Sequence, residues 1–251
     1  MENIHLLENL DRRLNFALSV GMAATIPAAS RTLAEQIYET LKGDLLSGAF
    51  APGSALLTRE LLARYQCGIS PLREAIARLV GEDLLVASGH RGVRVPLPSL
   101  TDLNELYRIR TLLECEALKL ALAHGDDHWE SQIVAACYRL ERAPLPKART
   151  ERGATVIEWE TRHRAFHSAL IAAAGAPRLL KMIDQLVDQT ERYRAIRLVR
   201  ADTARLVRDV AAEHRALADA TAARDASAVG LLAEHLERTR AFVAGLLSDA
   251  P

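Results

Sequence analysis

The chain has 251 residues, enough for two modest domains or one large one. Hydrophobic residues at 49% and charged residues at 25% are the make-up of an ordinary soluble globular protein, and a formal net charge of +0 excludes a global pull toward nucleic acid or membrane. Any such attraction must come from a local patch. Only 4% of residues are aromatic, while alanine, leucine, arginine and glutamate abound, which favours helices over sheet.

Near the N-terminus, "DRRLNFALSVGMAATIPAAS" has paired arginines, a weakly apolar run and small residues, a faint imitation of a secretory signal. Asn15, Ser19 and Gly21 interrupt the run, and acidic residues precede it. Residues 1–30 therefore read as a flexible extension, or as sequence ahead of a start at Met22. No stretch approaches the ~18 apolar residues that span a bilayer. Cys67, Cys115 and Cys137 are odd in number and widely spaced, so they form neither a disulfide framework nor a metal knuckle. They read as small buried apolar groups, and reduced thiols point to the cytoplasm.

From Thr32 to Pro98 the elements are short and heavily punctuated. In "TLAEQIYETLKGDLLSG", Leu33, Ile37, Leu41 and Leu45 recur at helical spacing, and the helix stops near Gly48. "FAPGSAL" reads as a turn. "TRELLARYQCG" is a short helix opened by Thr58 as N-cap, and "SPLREAIARLVGEDLL" is a second helix with Ser70 as N-cap and Pro71 at its first position. "LLVASGHRGVRVPLP" reads as two short strands around a turn carrying Gly89 and Gly92.

Helix, helix, turn, helix and two-stranded ribbon is the order of a winged helix-turn-helix over residues 31–98. A helix of about three turns from Ser70 can lie in the major groove with its first residues near base edges. Arg59, Arg64, Arg73, Arg78, Arg91 and Arg94 concentrate positive charge around it, as phosphate contact requires. The alternative is that these arginines form a solvated face of a small helical module.

"VPLPSLTD" is the seam, since two prolines in close succession resist helix and Ser99 or Thr101 can cap the next one. Beyond it, long helices with little glycine are expected at about 100–124, 126–143, 151–174, 177–199, 201–222 and 225–248. The fold class is thus mainly α: a winged helix-turn-helix with a small two-stranded wing, then an all-α bundle over residues 99–249. Within the bundle, His163 and His167 share a stripe with Trp159, Phe166, Leu170 and Ala173. His214 shares one with Val207, Val210, Leu217 and Thr221, and His235 one with Leu231, Leu232, Leu236 and Phe242. Burying imidazoles requires partners for their donors and acceptors.

"ARYQCGISPLREAIARLVGEDLL" followed by "GHRGVRV" resembles the DNA-binding signature of GntR-type transcriptional regulators. "RHRAFHSALIAAAG", "EHRALADA" and "AEHLERTR" resemble the branch with an effector domain of the FCD type, shared with the fatty-acid-metabolism regulator. Within it, "PLREA" and the "RHRAFH" wording are most similar to the carbon-starvation-induced, glutarate-responsive repressors. The resemblance covers about residues 32–248. It implies DNA contact by Arg59, Ser70, Arg73 and the wing residues His90, Arg91 and Gly92. Where many members carry an arginine just before the opening Thr or Ser, this chain has Ile69, so base readout there is lost or replaced by an apolar contact.

The resemblance also implies a metal site inside the bundle at His163, His167, His214 and His235, which would suit zinc or nickel. Most of the branch has aspartate where this chain has His163, so that residue either adds an imidazole to the site or points aside. Arg110, aligned with Leu103, Leu106, Tyr107, Leu113 and Ala117, is either paired with Glu114 or, by the resemblance, a clamp for an effector carboxylate; Tyr193 is a weaker candidate for the same pocket.

The expected function is a homodimeric transcriptional regulator, a repressor, that binds double-stranded operator DNA under control of a small carboxylate or dicarboxylate. A metal sensor without organic effector is the first alternative. A metal-dependent hydrolase is the second, disfavoured because HExxH, an obvious general base beside the cluster and a second chemistry motif are absent; Glu160, one turn before His163, is the carboxylate to test for it.

Overall fold

A computed structural model describes residues 31–88, 92–144, 154–200 and 209–248, with the side chains of residues 154, 156 and 194–200 left aside. The order is α1 (Leu33–Leu46), β1 (Ala55–Leu56), α2 (Thr58–Tyr65), α3 (Ile69–Gly81), β2 (Val86–Ala87), β3 (Val93–Arg94), α4 (Leu100–His124), α5 (Asp127–Glu141), α6 (Ala154–Ile171), α7 (Pro177–Arg200), α8 (Val210–Ala222) and α9 (Ser227–Ser248).

The N-terminal part packs α1 on α3 around Ile37, Leu41, Leu61, Leu72, Leu79 and Leu85. Its sheet has three strands in the order β1-β3-β2, both pairs antiparallel, with Ala55 opposite Arg94 and Val86 opposite Arg94 on the other side. The two-stranded wing expected from sequence thus gains a third strand from the segment read as a turn. Two residues are too few to show alternation, and Pro52 and Gly53 beside them dominate the local signal.

Both expected caps in this part are displaced. Leu57 and Gly68 occupy the N-cap positions of α2 and α3, and neither makes a side-chain cap bond. Thr58 and Ser70 lie inside the first turns. Pro71, now third in its helix, still costs nothing, because the first four N–H groups of a helix have no partner within it.

The second part is a bundle in which α4 packs on α7 and α9, α5 on α6 and α8, and α8 on α9. Its caps are built by side chains: Ser99 accepts from Asp102 N at 3.4 Å, Asp126 from Trp129 N at 2.8 Å, and Asp209 from Ala212 N at 2.9 Å. The helix expected over 151–174 ends earlier, because Ala172–Ala174 tighten into a 3-10 turn before Gly175 at φ 67°. Of the helix expected at 201–222, residues 201–208 lie outside the described residues, and the described helix starts at Val210. The extension at 1–30 also lies outside them.

Candidate functional site

The helix α3, expected from the sequence to lie in the major groove as a recognition helix, buries Leu72, Ala75 and Leu79 and turns Ser70 and Arg73 outward with Ile69, which is 43% exposed. Arg59 on α2 is also exposed, 3.8 Å from Glu60. These groups are available to a duplex. The other arginines are partly committed elsewhere. Arg64 donates from Nε to Asp44 at 3.0 Å and lies over the Phe50 ring at 5.0 Å. Arg78 lies 3.6 Å over the Tyr38 ring and bonds Glu82, and Arg94 donates to the Gly53 carbonyl at 2.9 Å. Half of the charge expected to face DNA therefore also staples the module together. Gly92 has φ 125°, and a Cβ there would fall 2.7 Å from the Leu56 carbonyl oxygen, so the ribbon passes β1 only with glycine. His90 and Arg91 lie outside the described residues.

Inside the bundle, α6 supplies His163 and His167, α8 supplies His214 and α9 supplies His235. All four are buried, and one ring nitrogen from each lies within 4.8 Å of every other. Two ligands of one ion at ~2.1 Å cannot be more than about 4.2 Å apart, so small ring rotations would bring this set onto a common centre. His163 stacks on Trp159 at 4.7 Å between centroids and sits 4.5 Å from the His167 ring, so it turns into the cluster rather than aside. Glu213 Oε2 stands 3.0 Å from His235 Nδ1, so Nε2 is the nitrogen of that ring that could take a metal. An all-imidazole donor set of this size fits zinc or nickel.

Arg110 is 2% exposed, and its guanidinium is taken by Glu114 and by Thr190 Oγ1 at 3.0 Å. The second oxygen of Glu114 is 4.0 Å from His167 Nδ1. Glu114 and Glu213 thus stand beside the imidazoles, and Glu160 lines a cleft between α1 and α6. Tyr193 does not join this group. Its hydroxyl bonds Asp102 and accepts from Ser99 N at 3.2 Å, at the seam where α4 begins.

Two sequence profiles match this arrangement: "Bacterial regulatory proteins, gntR family" over residues 33–95, and the FCD domain over residues 105–238. An HTH-type transcriptional regulator, BphR of Paraburkholderia xenovorans (strain LB400), is 35% identical over 90% of this chain and 91% of its own. The chain belongs to the GntR family. The HTH-type transcriptional repressor GlaR of Escherichia coli (strain K12) is also 35% identical, over 79% of this chain and 90% of its own. Among solved structures, E. coli McbR/YncC superposes with a TM-score of 0.71 at 26% identity, covering 85% of this chain and 98% of its own. BphR, GlaR and McbR are all HTH-type transcriptional regulators or repressors, and this GntR-family protein with an FCD domain is a transcription regulator, not an enzyme.

The FCD domain has a pocket of about 360 Å³ whose polar lining is Glu114, Arg164, His167, Ser168 and Asp184. Ile171, Leu180, Ile183 and Val187 give it apolar walls. Arg164 carries no inward signal in the sequence, because it directly follows His163 and so falls off the inward stripe. Burial alone would lower its basicity, but Glu191 and Asp188 more than reverse that. Among the described residues no helix is long and apolar enough to cross a membrane.

Proposed function

We propose that this GntR-family regulator is a homodimeric repressor whose operator affinity is set by a small carboxylate bound beside a divalent metal, zinc or nickel. His163, His167, His214 and His235 would hold the ion, and Arg59, Ser70, Arg73 and the wing residues His90, Arg91 and Gly92 would contact DNA. One observation carries the reading: four buried imidazoles from three helices converge to within 4.8 Å beside a pocket that includes His167. The metal would supply positive charge for an acid's oxygen, and the apolar walls would take its carbon chain. Two-fold DNA demands a two-fold protein, and exposed Ile109 and Leu112 leave apolar surface on α4 for a second copy. Switching requires the acid to bind the two DNA-affinity states unequally, by ~1–3 kcal/mol of coupling.

The test is a thermal-shift screen of carboxylic acids on zinc-loaded and chelator-treated protein. Zinc at 100 times Kd stabilises the fold by about 2.7 kcal/mol, which raises Tm by several degrees. An active acid adds a further rise only in the loaded protein. Absence of any zinc effect, in wild type as in His167→Ala and His214→Ala, refutes the metal site.

The pairing of Arg110 with Glu114 favours a second reading, a metal sensor with no organic effector, because it leaves Arg110 no free face for a carboxylate. Titrating metal against operator affinity, with and without short dicarboxylates, separates the two.

A further inference from the structure

Arg164 lines two cavities. One is the pocket beside His167, and the other is a cleft of about 620 Å³ that also includes Tyr38, Lys42 and Arg78 of the DNA-reading part. Its guanidinium is held by three carboxylates of α7: Asp188 at 2.5 Å, Glu191 at 3.3 Å, and the exposed Asp184. Asp188 is buried, and its other oxygen binds Lys42 Nζ from α1. Lys42 also donates to the Tyr38 hydroxyl at 3.1 Å, Tyr38 donates to Glu82 at 2.7 Å, and Glu82 accepts from Arg78 Nε on α3 at 3.2 Å. A continuous series of polar contacts therefore runs from the pocket wall to the recognition helix.

The helix α7 stands between the two parts. Leu180, Ile183, Asp184 and Val187 line the pocket. On the same helix Asp188 binds Lys42, Gln189 donates to the Glu82 carbonyl at 3.1 Å, and Arg192 donates to the Asp83 carbonyl at 3.4 Å. Arg110 has no comparable reach, since its partners Glu114 and Thr190 both lie within the bundle.

We infer that Arg164, rather than Arg110, is the group that meets the effector's acid and reports it to the DNA-reading part. This rests on the effector reading above. An acid entering the pocket competes with Asp184 and Asp188 for the guanidinium. Asp184 yields readily because it is exposed to water. Asp188 cannot, because a buried carboxylate that loses one of its two cations must lean on the other. The change is therefore passed to Lys42, and through it to the seat of α1 and α3. The helix α7 carries the signal, with Asp188 and Lys42 as the joint.

The experiment uses full-length zinc-loaded protein, with succinate, glutarate and adipate as probes and a DNA site selected by the protein from a random pool. Calorimetry reads acid binding, and fluorescence anisotropy reads DNA affinity with and without acid. In wild type a bound acid shifts DNA affinity by about 5–150-fold. Arg164→Gln weakens acid binding about tenfold or more. Lys42→Met still binds acid, less tightly because Asp188 then leans on Arg164 alone, but its DNA affinity no longer responds. Asp188→Asn, which removes a competitor for the guanidinium, binds acid at least as tightly as wild type and likewise gives no DNA response. Acid binding by Lys42→Met and Asp188→Asn also shows that the bundle is folded. If wild type responds and Lys42→Met and Asp188→Asn respond equally, the joint is overturned while the effector reading stands. If no acid binds wild type, the effector reading fails and takes the joint with it.

Discussion

Glu213 and His235 are bound side chain to side chain across the α8–α9 packing, Oε2 to Nδ1 at 3.0 Å, and Glu213 directly precedes His214. One carboxylate thus fixes the ring of one candidate ligand while its own backbone carries the next. Such a partner sets which nitrogen faces the ion and makes it more basic. Glu213→Ala is expected to lower zinc affinity by about 10–100-fold, read by competition with a chromophoric chelator. Unchanged affinity would remove Glu213 from the site.

Phosphate-facing arginines are distinguishable from stapling ones by how their loss depends on salt. Arg59→Ala and Arg73→Ala should weaken DNA binding across all sequences, each reducing the slope of log affinity against log salt by about 1. Arg64 is tied to Asp44, as is the Tyr65 hydroxyl at 2.7 Å. Arg64→Ala should therefore lower Tm while leaving much of the salt slope in place. Equal salt slopes for all three variants would show that Arg64 also faces the duplex.

Much of this architecture was legible in the sequence because periodic burial is a local signal. The stripes that carry His163, His167, His214 and His235 put all four rings in the interior, and Ser99 caps α4 as its hydroxyl suggested. What escaped was non-local. Ala55–Leu56 becomes a strand only because β3 is there to pair with it, and neither residue announces that. Thr58 and Ser70 look like caps, yet Leu57 and Gly68 hold those positions, since packing of α2 and α3 fixes the boundary. Arg164 and Tyr193 differ for the same reason: partners on other helices decide what each does, and helical spacing is blind to them.

Cys137 offers a check on the bundle that involves no ligand. Burial pushes its thiol up to about 11, and the carboxylates of Glu141 and Asp219 add to the shift. An ordinary thiol near 8.5 is partly thiolate at pH 8, so Cys137 should alkylate on the order of 100-fold more slowly than an exposed cysteine. Its rate should climb about tenfold per pH unit up to that value. Iodoacetamide labelling followed by peptide mass spectrometry measures both. Rapid labelling of Cys137 at pH 8 would mean that the packing of α5 against α8 is looser than described.

Arg110 and Glu114 give the sharpest contrast between a structural pair and a ligand clamp. Both are buried, one helical turn apart, and Thr190 also accepts from the guanidinium. Removing one partner strands the other charge away from water, so Arg110→Ala should cost about 3–5 kcal/mol of stability. Replacing both, as in Arg110→Met with Glu114→Leu, should recover most of that loss, because an apolar pair of similar volume needs no solvation. A clamp behaves differently: Arg110→Ala would then leave stability nearly unchanged and abolish acid binding. Denaturant unfolding of Arg110→Met, Glu114→Leu and the double variant decides between these, since only a structural pair gives a coupling of about 0.5–3 kcal/mol in the unliganded protein. Glu114 adds a second readout. Its free oxygen lies 4.0 Å from His167, so the double variant should recover stability yet still hold zinc more weakly than wild type.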